Sequence, residues 1–305
     1  MNGRHFADRI SDAVRRLRSP VVVGLDPRWN QLPASFHGSG DSLAAQARAF
    51  EDFSKAVIDV VSPLVPAVKP QAAVFEELGP AGMAALAAVI DHAQSRGLLV
   101  ILDGKRNDIG STAEAYARGY LGRESAWHAD ALTVSPYLGD DSLTPFVDVA
   151  AARDAGVFVL VKTSNPGSGM LQDMLSGRQP MYRTVAMHVE RLAEQHVGVC
   201  GYGCVGAVVG ATYPHQVTEL RAAMPHTWFL VPGYGSQGGT AADVAAAFDS
   251  RGLGAIVNNS RGIIFAHARP EYAERYGDAR WQEAVDAATR EMIDALRAAV
   301  PALGN

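Results

Sequence analysis

The segment "VILDGKRNDIG" places Asp103, Lys105 and Asp108 within six residues, just where an apolar run stops. An ammonium fixed beside a carboxylate can stabilise a developing negative charge and then hand over a proton. The carboxylate, in turn, disfavours any second anion brought next to it. Asp103 and Lys105 are two apart on an extended segment, so their side chains are expected on the same face, whereas Asp108 lies on the turn beyond. Lys69 in "AVKPQ" adds a second cation, and Asp26 closes the first apolar run. A lone Asp–Lys pair at a strand end reads as a stabilising ion pair. Five charged residues gathered at the ends of three adjacent strands read as a site, because burying so much charge for stability alone is costly.

The elements that must position these residues are short, nearly continuous apolar runs. They are residues 20–26, 66–71, 98–105, 131–136, 156–164, 206–212, 228–235 and 254–262. Between them lie alanine-rich segments of helical period, such as "AAQARAFEDFSKAVIDVV" and "GMAALAAVIDHAQSRG". Gly97 and Gly252 are expected to close two of these helices. Strands without polar alternation are buried on both faces, as in parallel sheets. Eight such βα units in 305 residues predict an α/β fold, a (β/α)8 TIM barrel occupying 1–305 as a single domain. The competing doubly wound sheet lacks a G-x-G-x-x-G after its first strand. Two insertions, near 28–42 and 165–183, fall on loops at C-terminal strand ends, the side where barrel enzymes build their sites.

Composition narrows the function classes. A net charge of −5 with no block of like charges argues against a nucleic-acid partner. No apolar run reaches the roughly 18 residues of a membrane span, and the charged N-terminus has no apolar signal core. Cys200 and Cys204, spaced C-x3-C, build neither a disulfide framework nor a zinc site and are expected to be reduced. A cytoplasmic location follows.

The last two strands suggest a phosphate. "PGYGSQGG" supplies glycines where backbone must approach a ligand closely, Gln237 adds a neutral donor, and Arg261 offers a bidentate cation. Loops after the seventh and eighth strands of such barrels often hold phosphate.

Together these segments resemble the orotidine 5′-phosphate decarboxylase family. Its D-x-K-x-x-D-[ITP] hallmark reads Asp103 to Ile109 here, accompanied in order by "VVGLDP", "AVKPQ", "VPGYGSQGG" and "NNSRGI". "KTSNPGS" and the greater length are similar to the larger bacterial subgroup. The resemblance implies decarboxylation of orotidine 5′-phosphate (OMP) to UMP with no cofactor and no metal. It implies that Asp103 sits against the substrate carboxylate and that Lys105 protonates C6. Lys69 would contact the ribose and pair with the aspartates, and Asp26 would bind the ribose. Ser164 would read the pyrimidine edge, and Gln237 and Arg261 would hold the 5′-phosphate. Asp108 and Thr112 would complete the active site of a partner subunit in a homodimer with shared active sites.

Three alternatives remain open on the residues. Keto-sugar-phosphate decarboxylases and hexulose-phosphate synthases share D-x-K-x-x-D but use Mg2+ and carry an acid on the second strand, where Lys69 stands. A Schiff-base aldolase would use Lys162, yet such lysines usually lie on the sixth strand, and "GAVVGAT" has none. A phosphate-ligand binding module would show a broken charge set, whereas all four members are present.

Overall fold

The structure is a computed structural model that describes residues 4–235 and 238–304. Eight strands follow one another along the chain: β1 (Val21–Leu25), β2 (Ala67–Pro70), β3 (Leu99–Arg106) and β4 (Ala131–Val134), then β5 (Gly156–Lys162), β6 (Val205–Val209), β7 (Phe229–Val231) and β8 (Ala255–Asn259). Each pairs in parallel with its sequence neighbour, and β8 closes on β1 through Val21↔Val257, giving a closed barrel. All eight expected runs are strands. Helices such as Leu43–Val61, Gly79–Ser95 and Met181–Glu194 cover the outside. With packing on both faces, every residue of β1, β2, β4, β6, β7 and β8 is buried. β5 is buried except for half-buried Leu160, and β3 turns outward at Gly104–Arg106, where Lys105 is exposed.

The floor of the barrel is sealed by the N-terminal helix Phe6–Leu17. The Phe6 ring meets Phe158 edge-on at 5.9 Å. It lies so close to β5 that a Cβ on Gly156 would fall 2.4 Å from it. Burying that ring contributes about 2–3 kcal/mol. One turn on, Arg9 pairs with Asp130 at 2.5 Å and donates to the Asp154 carbonyl at 2.9 Å. Asp130 also accepts from the Val100 N–H (2.9 Å) and from Gln94 (3.3 Å), tying helix, β3 and β4 together at the end away from the opening.

Gly97 closes the helix Gly79–Ser95 as expected, with φ 79° and the Leu98 N–H returning to the Ala93 carbonyl. Gly252 does not close a helix. It completes a turn with Asp249, beyond the helical turn that ends at Ala247, and its φ of 72° serves that reversal. The first insertion folds as the short 3-10 turns Trp29–Gln31 and Ala34–Ser39, with Phe36 set against Phe53 and Trp281. The second runs through Pro166–Ser168 and Gly169–Gln172, then a two-residue antiparallel ladder between Leu175–Ser176 and Gln179–Pro180. No helix among the described residues is long and apolar enough to cross a membrane.

Candidate active site

A cavity of about 480 Å3 opens at the C-terminal ends of the strands, and Asp26, Lys69, Asp103, Lys105 and Arg261 line it. At its base Asp103, 7% exposed, accepts four hydrogen bonds. Oδ2 receives Lys69 Nζ at 2.5 Å and Gln71 Nε2 at 3.2 Å. Oδ1 receives Lys105 Nζ at 2.6 Å and Thr133 Oγ1 at 3.0 Å. That occupies the roughly four acceptor positions a carboxylate has. Burial pushes the Asp103 carboxyl up, but the two ammonium groups outweigh it and hold the group well below the usual carboxylate range. Burial likewise disfavours charge on Lys69, yet Asp103 and Asp26 overcome it and raise its pKa.

Asp103 and Lys105 do meet, though not because β3 stays extended between them. Lys105 has φ 46°, in the left-handed region that non-glycine residues avoid. The register against β4 passes from Leu102↔Leu132 to Arg106↔Val134, so β3 spends two residues more than its partner. Thr133 holds this bulge: its Oγ1 accepts the Lys105 N–H at 2.9 Å while donating to Asp103. Such a backbone costs about 1–3 kcal/mol and persists only where its surroundings enforce it. The outcome is a lysine side chain 47% exposed, its ammonium anchored at the base of the cavity.

Asp26, Ser164 and Arg261 line the same cavity, Ser164 together with its neighbours Thr163 and Asn165. Among the described residues, buried Asp26 Oδ1 and Asn259 Oδ1 have no intramolecular donor, so both are acceptors for a ligand's hydroxyl or N–H groups. The loop after β7 reverses through Gly233, Gly235 and Gly238, all at positive φ, and the Gly239 N–H returns to the Gly233 carbonyl. Gln237 lies outside the described residues. Asp108 and Thr112 stand apart from the cavity of their own chain, where Asp108 Oδ1 accepts the Ile109 N–H at 2.9 Å. Lys162 is fully buried outside the cavity and pairs with Asp173 at 2.7 Å. Sequence reasoning passed over Gln71, Thr133 and Asn259. Thr133 carried a signal, as the lone hydroxyl in an otherwise apolar strand.

Residues 19–276 match the Orotidine 5′-phosphate decarboxylase / HUMPS family. An orotidine 5′-phosphate decarboxylase of Rhodopirellula baltica is 55% identical over 301 residues, covering 96% of this chain and 99% of its own. The chain belongs to this family. Another member, from Deinococcus radiodurans, is 42% identical over 86% of this chain and 89% of its own. The structure of Leishmania donovani OMP decarboxylase superposes with a TM-score of 0.75 at 34% identity, across 97% of this chain and 98% of that one. Within the family, the D-x-K-x-x-D segment of this chain is the Asp103–Lys105 bulge and the turn that follows it.

Proposed function

We propose that this protein decarboxylates orotidine 5′-phosphate to UMP, a carboxy-lyase reaction that completes a pyrimidine nucleotide. The observation that carries the reading is Lys69 Nζ at 2.5 Å from Asp103 Oδ2. The metal-dependent branch of the family needs a divalent cation at that carboxylate, and a buried ammonium there repels one.

The chemistry follows from the positions. Arg261 and the glycine turn after β7 take the 5′-phosphate, and Asp26 with Lys69 takes the ribose hydroxyls. Ser164 reads the pyrimidine, which brings the substrate carboxylate against Asp103. The C6–carboxylate bond breaks, CO2 leaves, and the electron pair stays on C6. Lys105, already an ammonium and already fixed, stabilises that carbanion without reorganisation and transfers its proton to C6. Solvent then reprotonates the lysine. Binding energy from the remote phosphate goes into orienting the reacting carbon.

Asp108 and Thr112, which stand apart from their own cavity, complete the neighbouring one in a homodimer. The reading sets the protein in the cytoplasm, as a pyrimidine-nucleotide enzyme whose two cysteines are both free and buried. Purified protein is expected to convert OMP to UMP and CO2 at the same rate with and without EDTA. Activity abolished by EDTA would move the chain to the metal-dependent branch. Mixing inactive Lys105→Ala with inactive Asp108→Ala protein is expected to restore part of the activity, and no recovery would refute shared sites.

A further inference from the structure

The second insertion is bound to β5 by contacts that the chemistry above leaves unused. Past Leu160 the strand slips register against β6, and the Lys162 carbonyl is taken by the Gly210 N–H. The next N–H, that of Thr163, is met by a side chain of the insertion, Gln172, whose Oε1 accepts it at 3.0 Å. The same amide donates through Nε2 to Thr163 Oγ1 at 2.8 Å, and Thr163 Oγ1 donates to Asn165 Oδ1 at 2.7 Å. One side-chain amide therefore fixes both the N–H and the hydroxyl of Thr163, the residue before Ser164. Gln172, Thr163, Ser164 and Asn165 all line the cavity.

Gln172 is itself held from below. The next residue, Asp173, pairs with Lys162, whose Nζ lies 4.7 Å from the centre of the Tyr213 ring and 5.7 Å from that of Tyr182. A fully buried ammonium is costly without a partner, so this carboxylate and two ring faces are a specific seat for it. The seat connects the end of β5 to the turn Gly169–Gln172, which otherwise presents Met170, 74% exposed, to solvent.

We infer that the insertion is a specificity element, in which the Lys162–Asp173 pair seats Gln172 as a positioning residue for the base-reading segment Thr163–Asn165. This deepens the proposed function and rests on it, since the base is the pyrimidine of OMP and UMP. The test compares two ligands that share a phosphate and a ribose. Binding of UMP and of ribose 5-phosphate is measured by calorimetry for the wild type, Gln172→Ala, Asp173→Ala and Thr163→Val. Loss of the amide contacts is expected to weaken UMP about tenfold in Gln172→Ala, with ribose 5-phosphate within about twofold of wild type. Asp173→Ala changes UMP in the same direction. Adding Thr163→Val to Gln172→Ala weakens UMP by less than the sum of the two single variants, because they share the contact between Gln172 Nε2 and Thr163 Oγ1. Equal weakening of both ligands would mark the insertion as merely structural, and unchanged UMP affinity would remove Gln172 from base recognition. Either result overturns the inference while leaving the decarboxylase reading intact. A wild-type protein that binds no UMP would overturn both.

Discussion

Asp103 and Asp130 make a natural pair for comparison. Both are buried aspartates, 7% and 8% exposed, at the two ends of the same part of the barrel. Each accepts hydrogen bonds from several elements and each pairs with a cation at close range. At the floor, Asp130 is covered by the helix that supplies Arg9, and its other donors are Gln94 and a strand N–H. At the rim, Asp103 takes two lysines, one of which is half-exposed and carried on a left-handed backbone. Burial and pairing therefore do not tell the two carboxylates apart. What sets Asp103 apart is a paired cation that lines a cavity and is carried on strained backbone.

The comparison can be broken at either end. Of the two aspartates, the larger effect on turnover is expected from Asp103→Asn, which leaves two ammonium groups without their shared anion and should lower kcat by about 10^2 to 10^3. Steady-state kinetics on OMP checks it, with circular dichroism to confirm the fold. Asp130→Ala should do the reverse. It strands Arg9 and costs about 3 kcal/mol of stability, while the folded protein keeps kcat within about twofold. Urea unfolding read beside activity separates the two.

Acid and alkali sharpen the contrast. The Asp103 carboxyl is depressed in the folded state, so its stabilisation is present above about pH 4, the ordinary range of an unfolded aspartate, and is lost as pH falls through the folded value. The difference in unfolding free energy between wild type and Asp103→Asn should stay level from pH 5 to 8 and shrink below pH 4. Lys69 is raised, so its contribution is complete below about pH 10.4 and is lost as pH climbs past that. Lys69→Met should flatten the alkaline limb of the stability curve. The smallest effect is Arg9→Lys, which keeps the charge but gives up the second contact to Asp154, at about 1 kcal/mol.

The barrel was legible because eight apolar runs separated by helical periods admit few other arrangements, and barrel geometry then brings strand ends together. Lys69, Asp103 and Lys105 were legible for the same reason: charge at the end of a buried strand is costly enough to need a purpose. The bulge at Lys105 was not, since "LDGKR" reads as an unbroken strand and the extra residues exist only relative to β4. Nor were the uncharged donors Gln71 and Thr133, whose role depends on a carboxylate more than thirty or exactly thirty positions away in the chain rather than on any local pattern. The same holds for Gln172 and Asp173, polar residues in an insertion with no periodicity. Gly252 misled because a left-handed glycine serves a loop reversal as well as a helix end.

The central claim is that Lys105, fixed by Asp103 and Thr133, supplies both the charge and the proton at C6. It is tested most directly by following loss of OMP absorbance with wild type and Lys105→Ala at saturating substrate, with thermal unfolding recorded on the same samples. The account predicts rapid loss with wild type and a fall of at least about 10^3 in kcat for the variant, at nearly unchanged Tm. Turnover by Lys105→Ala at the wild-type rate would contradict it.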